Sequence, residues 1–234
     1  MQQLLGSEWD RAELAQTGKT PDGEFRVYNM FVPAADGEPQ AYLVRSYSDG
    51  ATVGLHFHEH PQFQVFVEGA GIFQRHAVGP IAVHFTDAYS VYGPIIAGDP
   101  GLSFFVLRAE LDAGGQYMPG SREKLIRRGK RNLSEEIDLE RLDAEGRVTV
   151  FADDDGLLGE AVRLRAGEST ALPDASGVPA CYTLVLEGSA TSSETALDKY
   201  SVIHRRDGDG PLDLIGGVDG CMLLHMRFPA VEAT

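Results

Sequence analysis

Gly54-Leu55-His56-Phe57-His58-Glu59-His60-Pro61-Gln62-Phe63-Gln64-Val65-Phe66-Val67-Glu68-Gly69 is the stretch of this 234-residue chain whose reading decides the fold. His56, His58 and His60 recur at every second position, and alternate side chains of a β-strand share a face. An extended backbone here points all three imidazoles into one pocket, ahead of an apolar strand that runs into a Glu-Gly turn. Imidazoles gathered on one face of a sheet are the material of a metal site.

Outward from this stretch, short apolar runs rich in β-branched and aromatic residues recur. They are Phe25 to Val32, Gln40 to Ser46, Gln62 to Val67, Ile81 to Phe85, Ala88 to Tyr92 and Leu102 to Leu107. Gly, Pro or Asp bounds each run, which is an all-β pattern. Before them the chain is polar, with a short helix expected from Trp9 to Gln16. Residues 109–146 read as a partly helical linker: Asp112-Ala113-Gly114-Gly115 and Met118-Pro119-Gly120 are loop-like, and short helical pieces are expected at 121–128 and 133–142. From Arg147 the β runs resume at Val148 to Phe151, Ala161 to Leu164, Tyr182 to Leu186, Tyr200 to His204, Leu212 to Ile215 and Met222 to Phe228.

The second half repeats the first. Gln64 to Gly69 matches Thr183 to Gly188, and Gly101 to Arg108 matches Gly220 to Arg227, both at an offset of 119. Asp87-Ala88-Tyr89-Ser90-Val91 resembles Asp198-Lys199-Tyr200-Ser201-Val202 at an offset of 111, which a length difference in the intervening hairpins would explain.

With these residues in view, His56-x-His58-x-x-x-Gln62 followed by Val65 to Gly69 resembles the first motif of the cupin superfamily, and Thr86 to Pro94 resembles the second. The whole chain is similar to a bicupin, and to bacterial cupin-domain proteins of unassigned function. The resemblance implies two tandem jelly-roll β-barrels: residues 1–108, the 109–146 linker, and a degenerate second barrel at 147–234. It also implies His56 and His58 as metal ligands. The family's usual glutamate ligand falls on Gln62, and its fourth ligand, normally histidine, falls at or next to Ala97.

Weighed by chemistry alone, two imidazoles need a third donor, with an open position for water or substrate. Gln62, His60 and His84 are the candidates, and the metal expected is divalent: Fe, Zn, Ni or Mn. His84 sits in an apolar run, where a hydrogen-bonded structural histidine is the competing reading. Gln64, Arg75 and Tyr92 are the candidate ligand-binding residues, Arg75 as a fork for a carboxylate. At offset 119 the second barrel places Ala175, Gly177 and Cys181 where His56, His58 and Gln62 stand, so no metal is expected there.

A formal charge of −15 opposes nucleic acid or an anionic membrane as partner. The basic cluster from Arg122 to Arg131 is followed by Glu135, Glu136, Asp138 and Glu140, and reads as a salt-bridged surface. No apolar run approaches a membrane span, no export signal is visible, and Cys181 and Cys221 are expected reduced, so the cytoplasm is the expected location. Three functional readings follow. The first is a metalloenzyme, a dioxygenase or isomerase acting on an anionic small molecule in the first barrel. The second is a metal-free barrel that binds a small ligand without turnover. The third is a homodimer in which the barrels offer sheet surface to another subunit.

Overall fold

A computed structural model describes residues 1–6, 8, 14–20, 23–31, 35, 37–126 and 130–230. The chain divides into two compact units, one of Met1–Arg11 with Ile137–Thr234, the other of Ala12–Glu136. Each is a β-barrel of the jelly-roll kind, so the all-β bicupin architecture expected from the sequence is present. Among the described residues no helix is long and apolar enough to cross a membrane.

The first barrel is built on a nine-stranded sheet in the order Asn132–Glu136, Ala82–Thr86, Gln62–Phe73, Ile95–Arg108, Gln40–Ser46, Gly23–Phe31, Leu14–Thr20. His76–Val78 adds to the Gln62–Phe73 strand and Thr52–Val53 to the Ile95–Arg108 strand. Every residue from Gln62 to Val67 is buried. Alternation explains how: Phe66 faces a core with Val44, Phe73, Ile95, Phe104 and Val106, while Phe63 lies on the other face against Phe85, ring centres 5.0 Å apart.

The second barrel repeats this wiring in the order Gln2–Leu4, Val202–Arg205, Cys181–Ser192, Leu212–Arg227, Leu158–Leu164, Arg147–Ala152. Val65 pairs with Phe105 as Leu184 pairs with Leu224, each related by 119. His84 pairs with Gln64 as Ile203 pairs with Thr183, again at 119. One offset therefore holds through three strands, and the expected match of Asp87 with Asp198 is corrected. Gly79 stands at the place of Asp198, and Ala88 to Tyr92 is turn and loop rather than a strand, with Tyr89 at φ 58°.

The Glu-Gly pairs do not end their strands. Gln62–Phe73 and Cys181–Ser192 run through them, each with a bulge where the register shifts. Other local expectations need correction too. The 133–142 piece is the strand Asn132–Glu136 followed by a 3-10 turn at Leu139–Arg141, because Leu133 to Glu136 pair with Ala82 to Phe85. Of the 121–128 piece, only a 3-10 turn at Arg122–Lys124 falls among the described residues, residues 127 and 128 lying outside them. The helix expected from Trp9 lies outside them through residue 13, and Leu14–Thr20 is a strand. Asn132–Glu136, inside the expected linker, belongs to the first barrel's sheet, and Gln2–Leu4, inside the expected first domain, belongs to the second's.

Candidate functional site

The His56–Phe57 strand is two residues long. His56 exchanges backbone hydrogen bonds with Tyr92 at 3.1 and 2.9 Å, and Tyr117 lies opposite it on the strand Gln116–Tyr117. Beyond Phe57 the chain turns, which breaks the alternation that was to bring His60 alongside. Asp112 fixes that turn: its Oδ1 accepts from His58 Nδ1 at 2.6 Å and from the Gly114 amide at 2.8 Å, and its Oδ2 accepts from the amides of Glu59 at 3.0 Å and His60 at 3.3 Å.

These elements enclose a cavity of about 310 Å³ in the first barrel. Its polar wall holds His56, His58, Gln64, Tyr42, Tyr92 and Arg108, and its apolar wall is made chiefly of Phe25, Val44, Val53, Ile95, Phe104 and Val106. Both histidines have fixed tautomers. His56 Nδ1 lies 2.7 Å from the Gly54 carbonyl and His58 Nδ1 lies on the Asp112 carboxylate. Carbonyl and carboxylate oxygens offer only lone pairs, so each Nδ1 carries the proton and each Nε2 is left as an acceptor. Burial, and then the neighbouring His58, push His56 down to about 4. His58 is likewise lowered by burial and by Arg108, with Asp112 pulling the other way. Both rings are neutral at pH 7.

Behind them is a group that sequence reasoning missed. Arg108, 1% exposed, donates through Nε and Nη2 to Gln62 Oε1 at 3.0 and 2.7 Å, through Nη1 to Gln40 Oε1 at 2.5 Å, and through Nη2 to the Tyr42 hydroxyl at 3.0 Å. Its Nη2 also stands 3.2 and 3.1 Å from the two nitrogens of His58. The lone pairs of an imidazole diverge, so an atom nearly equidistant from both nitrogens lies over the ring face. Burial works against the charge on Arg108, but Tyr42 and Asp112 outweigh it and raise its pKa. Burial would also raise Asp112, yet the His58 hydrogen bond and the Arg108 charge hold its carboxyl well below the usual range. A buried cation and a buried anion therefore flank His58 and balance each other.

The remaining candidates separate. Gln62 does not line the cavity, since its oxygen is taken by Arg108 and its Nε2 donates to the Tyr92 hydroxyl at 2.5 Å. Gln64 does line it, with a buried Oε1 that has no partner. Tyr92 lines it too, 4.4 Å ring to ring from His56, its hydroxyl kept protonated by burial. His84 is held behind the cavity, between Phe73 and Ser134, and burial lowers it to about 3. Two expected residues lie elsewhere for plain reasons. His60 is on the turn pinned by Asp112, and Arg75 is exposed in the hairpin between Gln62–Phe73 and His76–Val78. Ala97 is buried in its strand opposite Gly71, and the residue bridged to His56 is Tyr92. The one available clue to Arg108 was an arginine closing a buried apolar run, repeated by Arg227.

A fold of this kind invites a metal, and the donors decide the fit. His56 and His58 present two neutral nitrogens whose Nδ1 hydrogens are tied to oxygen, as metal-bound histidines are. No third His, Cys, Asp or Glu joins them among the described residues. The position expected to supply a carboxylate supplies an amide bound to a guanidinium, and that guanidinium lies over the His58 ring. The set offers two neutral nitrogens and, among the described residues, no anionic donor and no third ligand, and does not fit a resident divalent ion.

The architecture is that of a bicupin. Solved structures bear this out: the chain resembles a bacterial pirin from Escherichia coli in complex with nickel(II), at 10% identity and TM-score 0.62 over 95% of this chain and 97% of that one. It resembles a salicylate 1,2-dioxygenase from Pseudaminobacter salicylatoxidans at 14% identity and TM-score 0.56, over 86% and 75%. A variant of Bacillus subtilis oxalate decarboxylase aligns at 12% identity and TM-score 0.60, over 97% and 77%. No family model matches the sequence, and no curated protein matches it either.

Proposed function

We propose that the first barrel is a metal-independent receptor for a small, partly apolar molecule that carries hydroxyl groups. The observation behind this is the pair of fixed tautomers: His56 Nε2, His58 Nε2 and Gln64 Oε1 are acceptors, while the hydroxyls of Tyr42 and Tyr92 accept from Arg108 and Gln62 and keep their own protons to donate. A ligand hydroxyl both donates and accepts, and so satisfies such a wall, with the apolar wall taking its carbon skeleton. A carboxylate finds less here, because Asp112 already balances Arg108. Metal-dependent dioxygenase or isomerase chemistry is the second reading, favoured by the free Nε2 atoms and by the nickel(II) of the similar pirin.

The deciding experiment is a thermal-shift screen of phenols, polyols and small carboxylates, with and without EDTA. Stabilisation by hydroxylated compounds that EDTA leaves unchanged, and that His56→Ala with His58→Ala abolishes, supports the proposal. Stabilisation that appears only with added Ni, Fe, Zn or Mn would replace it with the metal reading.

A further inference from the structure

The second barrel carries its own polar row at the level that Gln62 and Arg108 occupy in the first. Cys181 lies opposite Arg205 on one neighbouring strand and opposite Arg227 on the other. Residues in register across a sheet share a face, so the thiol sits between two guanidinium side chains. One row further along the same face are Thr183 and His225, joined Oγ1 to Nδ1 at 3.1 Å. The offset of 119 relates Cys181, Arg205 and Arg227 to Gln62, Thr86 and Arg108. Arg227 is thus the counterpart of Arg108, but the amide that receives Arg108 has become a thiol, and a second arginine has been added.

The charges in this row are unbalanced. Arg205 is 2% exposed; its Nη1 donates to the carbonyls of Pro173 and Gly210, both at 2.8 Å, and its Nη2 has no partner. Arg227 is partly exposed and reaches the Ser176 carbonyl through Nη2 at 3.4 Å, but its Nε is buried and has no partner. Nε2 of the fully buried His225 is likewise unpartnered. Among the described residues no carboxylate bonds either guanidinium. Asp174 is occupied by the Ser176 amide at 3.1 Å, and Asp209 by the Met1 ammonium and the Arg206 amide. Buried charges are ordinarily paired. We infer that the second barrel binds a small oxyanion, inorganic or carboxylate, between Arg205 Nη2 and Arg227 Nε beside Cys181. Burial lowers the pKa of Arg205 and Arg227 acts in the same direction, while Cys181, Asp209 and Asp174 oppose them without reversing the shift. This site is independent of the first barrel.

The test is thermal unfolding of the full chain in inorganic phosphate, sulfate or malonate against sodium chloride at equal ionic strength. A saturable rise in Tm with an oxyanion, weakened at least fivefold in apparent affinity by Arg227→Gln, is expected. An equal rise in chloride, or an unchanged rise in the variant, overturns the inference. Should that variant not fold, alkylation of the wild-type protein read by mass spectrometry decides, with Cys221 as internal reference. Phosphate is expected to slow labelling of Cys181 at least threefold relative to Cys221, and an unchanged ratio overturns the site.

Discussion

Arg108 Nε and Nη2 converge on a single oxygen, Oε1 of Gln62, at 3.0 and 2.7 Å. The residue that replaces the expected carboxylate ligand is thereby an acceptor for an internal cation, and turns its amide nitrogen to Tyr92. Four side chains, Gln40, Tyr42, Gln62 and Asp112, compensate one buried guanidinium, and Gln62 does so through the oxygen that a metal would otherwise have used.

Arg108 and Asp112 should therefore be coupled. Arg108→Met leaves Asp112 as an uncompensated buried anion and is expected to cost about 3 kcal/mol, and Asp112→Asn about 2 kcal/mol. The double variant should cost at least about 1 kcal/mol less than the sum, because each single change strands the charge that the other removes. Urea unfolding of the four proteins measures this, and strict additivity would show that the two charges do not balance each other.

Chelation should leave stability untouched. A metal that binds only the folded state raises stability by mass action, and stripping it lowers Tm. With two neutral imidazoles beside Arg108, dialysis against EDTA is expected to shift Tm by less than about 1 °C, below the several degrees that a change of 1 kcal/mol produces. Elemental analysis before and after dialysis, with a metal-dependent fall in Tm as the contrary result, checks it.

The fold was readable because its determinants are local. Alternation around Phe63 to Val67 and the Glu-Gly repeat are written in adjacent residues, whereas the bulge at each Glu-Gly pair depends on the partner strand's register and was read as a turn. His56 and His58 were readable for the same reason. Arg108 and Asp112 were not: they reach His58 from 50 and 54 positions away, and nothing in the sequence pairs them with it. The Asp87 to Asp198 match misled because composition in turns is similar everywhere, whereas strand register is set by pairing. His60 was misplaced because an alternation argument holds only while the strand lasts, and this one ends at Phe57.

The two bulge glycines make the repeat testable. Gly69 has φ +78°, and a Cβ there would meet the Gly101 carbonyl oxygen at 2.0 Å; Gly188 has φ +68° and would meet that of Gly220 at 2.1 Å. Backbone oxygens in the adjacent strand cannot step aside. Gly69→Ala and Gly188→Ala should each destabilise their own barrel by about 3 kcal/mol, combining left-handed strain with the clash. Hydrogen exchange should show each loss confined to the barrel that carries the change.

Acid should unfold the protein through its buried histidines. Burial lowers His56 and His204 to about 4 and His84 and His225 to about 3, against an ordinary value of 6.5. A histidine whose folded pKa is depressed binds more protons when unfolded, so stability is complete above pH 6.5 and falls as pH drops toward 4. Each such histidine contributes a slope of about 1.4 kcal/mol per pH unit within that window. Asp112, depressed as a carboxylate, adds a loss of the same sign only below its ordinary pKa of 3.8. His84→Phe places an aromatic ring among Phe73 and Tyr92 and removes one titrating group from the first barrel. Between pH 6 and 4.5 its unfolding free energy should fall less steeply than that of the wild type, by close to one proton. Urea titrations at several pH values measure both slopes, and parallel lines would mean that His84 is protonated in the folded protein as readily as in the unfolded chain.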